Sequence, residues 1–374
     1  MVFSQNTICQ QTIEVIKSDY LLEIQHVKIV KSAKFDSLSP FQTFIVLDAD
    51  NLFDYTVATI DYLQKWKPFP QYIVVGLSNK DRWNELQASS TEVFQKLPFY
   101  LFLKEELSRI DEIKNASFKT IIGHSLSAQF AMEYFFNNLK EYNAVVGLSP
   151  PFQSKFRKNV SENLLKIQEM DRYIYTCSSE QDLNFHKLNF KLLKKELKSN
   201  KIRNIKLDFF EENNEITHAL IPLQGISQGI LFLTKDYFSF PTNQLKKYLN
   251  EKVAPDSLLE ISYQEIKKIY SILPSFRSED IQEYVDFYAK KRNYSEALRL
   301  SEIAIKNSNE KDVYELIDAY YLKGFVLEQM KDYSNSLFYY KKGFELLTDE
   351  VLNKNDFEVD ILRVQKKLDK MNLH

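Results

Sequence analysis

Six short strand-like runs, separated by helical stretches, set the pattern of the first half of this chain. They fall at residues 44–47, 72–77, 118–122, 144–149, 173–177 and 205–210. Most are continuous apolar segments, which suits strands buried on both faces of a parallel sheet. Residues 20–30 instead alternate in part, as a half-buried antiparallel strand does. Strands that alternate with helices predict an α/β fold with a mostly parallel central sheet. Ligands in such sheets bind beyond the carboxyl ends of the strands, so the polar clusters at those ends are where chemistry is sought.

At 374 residues the chain suits two domains, at roughly 150 residues per domain. Apolar residues make up 44% and aromatics 14%, enough for a large core, and the net charge of −2 points neither to nucleic acid nor to an anionic membrane surface. The two cysteines, Cys9 and Cys177, form neither a disulfide framework nor a metal knuckle. The sequence has no apolar run of about 18 residues, so a membrane span is not expected. The N-terminal Met1-Val2-Phe3-Ser4-Gln5 is too short for a signal peptide. A cytoplasmic location follows if Met1 is the true start, and a periplasmic or secreted one if a signal preceded it.

The stretch Gly123-His124-Ser125-Leu126-Ser127-Ala128 closes one strand-like run and opens a helical one. A serine on a tight strand-to-helix turn is the nucleophile-elbow arrangement, usually written G-x-S-x-G. Gly123 supplies the first small neighbour, and Ser127 with Ala128 stands where the second glycine and the residue after it would be. A serine hydroxyl needs a neighbouring base, and in α/β-hydrolases the order along the chain is serine, acid, histidine. After Ser125 come His186, His218 and His374. His218 lies in a polar loop after the sixth run and is the preferred base. His186 opens a helix and reads as structural, and His374 ends the chain. The acid is sought after the fifth run, in Ser178-Ser179-Glu180-Gln181-Asp182, with Glu180 the first choice and Asp182 the alternate. An oxyanion hole needs two backbone N–H groups. Leu126 would offer one, and Ala49 or Asp50 the other, from the loop Asp48-Ala49-Asp50-Asn51. That loop also reads simply as an acidic helix start.

Four of these stretches resemble one family, the esterases related to esterase D and in particular its branch of siderophore-ester hydrolases. They are Ile45-Val46-Leu47-Asp48-Ala49-Asp50-Asn51-Leu52-Phe53, Ile73-Val74-Val75-Gly76-Leu77 with Asn79 and Arg82, the elbow itself, and Gly147-Leu148-Ser149-Pro150-Pro151-Phe152. With Thr217-His218 they span roughly residues 15–240. The resemblance implies an α/β-hydrolase fold and a serine esterase acting on a small-molecule ester without metal or cofactor. It also implies Ser125 as nucleophile, His218 as base and Glu180 or Asp182 as acid. Two departures stand out: Ala49 replaces a glycine in the oxyanion loop, and Leu126-Ser127-Ala128 replaces Leu-Gly-Gly. Both lose the freedom to adopt positive φ.

Beyond a connection at residues 241–257 the pattern is helical throughout. Asn293-Tyr294-Ser295-Glu296-Ala297-Leu298 recurs as Asp332-Tyr333-Ser334-Asn335-Ser336-Leu337, a spacing of 39 residues. Tetratricopeptide repeats have a period of about 34 residues, and the segment resembles a degenerate pair of them closed by a helix near 356–371. The expected organisation is therefore a hydrolase domain at 1–240 and a helical repeat domain at 258–374 that offers a surface to a protein or peptide partner. Two further readings stay open: a catalytically impaired hydrolase fold serving as a scaffold, and acyl transfer to an alcohol instead of water.

Overall fold

The computed structural model describes residues 11–33, 35–66, 69–86, 93–152, parts of 156–167, 171–197, 204–211, 215–238, 255–273, 278–308, 313–347 and 354–372. Contacts along the chain divide it into two compact units, one of residues 8–238 with 268–272, the other of 1–7, 239–267 and 273–374. The connection expected at 241–257 lies largely outside the described residues, as do Cys9 and His374.

The first unit is built on one eight-stranded sheet. Its strands are β1 (Gln11–Ser18), β2 (Glu23–Lys31), β3 (Gln42–Val46), β4 (Tyr72–Gly76), β5 (Phe118–His124), β6 (Ala144–Leu148), β7 (Tyr173–Ser179) and β8 (Ile205–Phe210), in the order β1-β2-β4-β3-β5-β6-β7-β8. β1 and β2 form an antiparallel pair, and β2 runs antiparallel to β4. The other neighbours are parallel. Every residue of β3, β4, β6 and β7 is buried, which is why their sequences are mostly apolar. β1 is the strand the sequence reading missed. It lies at the sheet edge with Ile13 and Val15 exposed, so no burial requirement shapes its sequence.

The site owes its position to β3, which pairs with β4 on one side and β5 on the other. The winding of the sheet reverses there, and the loops after β3 and β5 diverge around the crevice that such a reversal leaves. Helix α1 (Ala49–Trp66) follows β3, and helix α2 (Arg82–Leu86) lies beyond the end of β4. Helix α3 (Leu126–Asn137) follows β5 and is buried along most of its length, with Ala128, Phe130, Ala131, Met132, Tyr134 and Phe135 at 1% exposure or less. Each large apolar side chain buried in this way stabilises the fold by roughly 1.5–3 kcal/mol. After β7 comes helix α4 (Asn184–Leu197), and after β8 helix α5 (Ile221–Leu233). Gly225 lets α5 press against the sheet, since a Cβ there would lie 2.6 Å from Leu148 Cδ2 and 2.9 Å from Cys177 Sγ.

In the second unit α6 (Pro255–Tyr270), whose last residues belong to the first unit, is followed by α7 (Ser278–Lys290), α8 (Tyr294–Asn307), α9 (Val313–Gln329), α10 (Tyr333–Glu345) and α11 (Lys354–Asn372). The sequence echo has a structural counterpart. Arg292 and Lys331 both adopt left-handed φ, at 59° and 66°. The next residue in each case bonds back across the turn, Asn293 N–H to the Tyr288 carbonyl and Asp332 N–H to that of Leu327, both at 2.9 Å. The same helix stop therefore precedes α8 and α10, and satisfies helix-end carbonyls that would otherwise lack partners.

Candidate active site

Ser125 follows the last residue of β5 and has φ 60° and ψ −120°, a conformation sparsely populated by non-glycine residues. Its N–H donates to the Leu148 carbonyl at 2.8 Å, which ties the turn to β6. Its side chain does not cap α3, so the hydroxyl is left to other use. Gly123 is required by close approach: a Cβ there would lie 2.4 Å from the Ser127 carbonyl oxygen. Strain of this kind costs roughly 1–3 kcal/mol and is offset by the burial of α3. The positive φ values near the site belong to Ser125, Asp48 (φ 51°) and Ser149 (φ 48°), and not to Ala49, Ser127 or Ala128. The glycine replacements at Ala49, Ser127 and Ala128 therefore sit where the backbone makes no demand for a left-handed residue.

Of the two candidate acids, it is Asp182 that meets the histidine. Its Oδ1 lies 2.7 Å from His218 Nδ1 and accepts from Leu183 N–H at 2.8 Å. Its Oδ2 accepts from the hydroxyls of Ser149 at 2.7 Å and Ser178 at 2.6 Å. Burial alone would push this carboxyl up, but the bonds from His218, Ser149 and Ser178 outweigh it and hold Asp182 below its usual value. Glu180 turns away to the lysines of α4, 2.6 Å from Lys191 Nζ and 3.5 Å from Lys187 Nζ. The hydrogen bond from Lys191 lowers its carboxyl. Two residues apart on one loop, the carboxylates face opposite surroundings, and sequence spacing alone does not distinguish them.

His218 begins a short turn, His218–Leu220, after β8. The Gln181–Thr217 bridge and a bond from the Ser179 hydroxyl to the Ile216 carbonyl hold its loop beside that of Asp182. With Nδ1–H directed at a carboxylate, His218 keeps Nε2 unprotonated in its neutral form. Two more histidines flank its ring, His124 at 4.7 Å and His186 at 4.8 Å between centroids. His124 Nε2 donates to the His218 carbonyl at 3.0 Å, and His186 Nδ1 donates to that of Ser149 at 2.8 Å. Burial, then the proximity of His218, pushes His124 down to about 4. Burial is also the main cause that lowers His186. His186, read from the sequence as structural, is thereby placed beside the His218 ring. Its signal is visible only in three dimensions, where α4 carries it to the end of β6. His26 is an exposed residue of β2.

Asp182, His186 and His218 could in principle gather a metal ion, since one ligand atom from each lies within 4.8 Å of the others. The Ser149 hydroxyl occupies that centre, 2.7 Å from Asp182 Oδ2 and 3.1 Å from each Nδ1. Both Nδ1 atoms also face oxygen acceptors as N–H donors, which leaves them no lone pair for a metal. The cluster fits a closed hydrogen-bond network better than a metal site.

On the other side of the elbow, the Ala49 N–H is committed to the Leu77 carbonyl at 2.9 Å. The N–H groups of Asp50 and Leu126 stand in the first turns of α1 and α3, where the helix provides no acceptor. Among the described residues neither donates to another backbone group. Arg82 grips Asp48 through Nε to Oδ1 at 2.8 Å and Nη2 to Oδ2 at 2.9 Å, and reaches the His124 carbonyl at 2.9 Å.

No protein-family model and no curated protein sequence matches this chain. Solved structures do match its fold. An uncharacterised protein from Capnocytophaga ochracea aligns over 96% of this chain and 100% of its own, with a TM-score of 0.67 at 17% identity. An IroE-like serine hydrolase from Shewanella oneidensis aligns over 78% of this chain and 98% of its own, with a TM-score of 0.58 at 15% identity. The siderophore hydrolase EstA from Aspergillus nidulans aligns over 63% of this chain and 98% of its own, with a TM-score of 0.50 at 12% identity. At these identities the likeness shows the shared fold.

Proposed function

We propose that this protein is a serine hydrolase that cleaves a small-molecule carboxylic ester through an acyl-enzyme. The observation that carries the reading is Ser125, held at φ 60° on the β5–α3 turn, on the same strand-end face as a histidine whose Nδ1 is engaged by a buried carboxylate. In this reading Ser125 Oγ attacks the ester carbonyl carbon while His218 Nε2 takes its proton. Asp182 stabilises the resulting imidazolium. The N–H groups of Leu126 and Asp50 hold the oxyanion, Ala49 being already engaged. His218 then protonates the departing alkoxide, and in the second half deprotonates the water that attacks the acyl carbon and releases Ser125.

The siderophore hydrolase among the fold neighbours makes ester-linked siderophores the first substrates to try. The helices at 278–372 are read as a tetratricopeptide-like pair with a closing helix, and as a surface for a protein or peptide partner. The scaffold reading drew its support from the replaced glycines, and that support weakens because neither Ala49 nor Ser127 has positive φ.

The test is labelling with a fluorophosphonate, followed by intact mass. The wild type is expected to gain one adduct and Ser125→Ala none. Folded wild-type protein that stays unlabelled would overturn the catalytic reading in favour of the scaffold.

A further inference from the structure

From the bonds around Ser127 we infer that Ser127, Asp48 and Arg82 form a latch that sets the spacing of the two oxyanion donors. The inference rests on the hydrolase reading above and assigns positioning residues to that same site. The donors belong to separate segments, Asp50 to the start of α1 and Leu126 to the start of α3. Oxyanion stabilisation depends on donors held in place before reaction, so something must hold the two segments in register.

The Ser127 hydroxyl does this from the elbow side. It donates to Asp48 Oδ2 at 2.6 Å and accepts from the His124 N–H at 2.8 Å. Ser127 is fully buried, and Asp48 lies two residues before Asp50. Arg82 closes the latch by its two-pronged grip on Asp48 and its third bond to the His124 carbonyl. The elbow residue just before Ser125 is thus bonded at its N–H by Ser127 and at its carbonyl by Arg82, and both partners converge on one carboxylate. Asp48 itself holds φ 51°, and its carbonyl accepts from Asn51 N–H at 2.9 Å and Leu52 N–H at 3.1 Å. Any shift of its side chain would therefore be passed to the first turn of α1. A glycine at position 127 could take the same backbone conformation but would lack the hydroxyl. Serine here does more than stand in for a small residue.

The test compares wild type with Ser127→Ala, Ser127→Gly, Arg82→Lys and the double variant Ser127→Ala/Arg82→Lys, using a p-nitrophenyl ester and a trifluoromethyl ketone inhibitor. Misplacing a catalytic group by about 1 Å costs about 10²-fold, so kcat should fall about 10- to 100-fold in Ser127→Ala and Ser127→Gly alike, with KM within about twofold. Inhibitor Ki should rise in step with the loss of kcat/KM, because the ketone adduct carries an oxyanion. Arg82→Lys keeps the charge and loses the fork, and its effect should be less than additive with Ser127→Ala. Equal losses in kcat and ketone affinity at constant KM are not what a general loosening of the fold would produce. A folded, active Ser127→Ala with wild-type kcat, or strictly additive effects in the double variant, would overturn the latch alone. A folded wild type that neither turns over esters nor binds the ketone would overturn the hydrolase reading beneath it.

Discussion

Replacing Asp182 by asparagine tests the acid assignment, and its size can be worked from the bonds around that side chain. Asp182 Oδ1 faces two N–H donors, His218 and Leu183, while Oδ2 faces two hydroxyls that can turn round. The backbone N–H of Leu183 cannot reverse, so the asparagine oxygen should stay on the Oδ1 side and its NH₂ should face Ser149 and Ser178. His218 would then keep Nδ1–H and its reactive tautomer. What is lost is the negative charge that steadies the imidazolium of the transition state. Across about 4 Å and an effective dielectric of about 20 that attraction is about 4 kcal/mol, or about 10³-fold in rate. The assay is kcat and KM on a p-nitrophenyl ester at pH 8, with Glu180→Gln as comparison. Asp182→Asn should lose about 10³-fold in kcat with little change in KM. Glu180→Gln, whose carboxylate faces Lys191 at the surface, should stay within about twofold. A loss of less than about tenfold in Asp182→Asn, or an equal loss in Glu180→Gln, would refute the assignment. A loss well above 10⁴-fold would refute the anchoring role of Leu183 and point to an inverted tautomer.

Two further outcomes are expected. The unfolded imidazole of His124 titrates near 6.5 and the folded one near 4, so between those values the unfolded chain binds a proton that the folded chain refuses. Stability should fall as pH drops through this window, by up to about 3 kcal/mol from His124, with His186 acting in the same direction. Asp182, held below its usual value, keeps its contribution until lower pH. Urea unfolding at pH 7.5 and 4.5 checks this, and His124→Gln should shrink the difference; an unchanged difference would count against it. Gly123→Ala should lose roughly 3 kcal/mol or more of stability, because its Cβ would meet the Ser127 backbone at 2.4–2.5 Å. A melting curve unchanged from wild type would show that the elbow relaxes.

The sequence alone determined those features that depend on local composition and period. Buried parallel strands must be apolar on both faces, so β3, β4, β6 and β7 announce themselves. The turn that carries Ser125 was legible because a strand-to-helix turn needs a small residue at Gly123, and the placement of His218 because a polar loop follows β8. β1 was not legible, since an edge strand with exposed Ile13 and Val15 has no inward face to enforce a pattern. Only the tertiary structure decided the rest. It turned Asp182 toward His218 and Glu180 toward Lys191, committed the Ala49 N–H to Leu77, and brought His124 and His186 to either side of one ring. It also joined Ser127 to Asp48 across 79 positions of chain and Arg82 to Asp48 across 34. The physical reason is that hydrogen bonds act over about 3 Å and depend on direction. Which donor meets which acceptor is therefore settled by how the strand ends are assembled, and spacing along the chain carries no record of it.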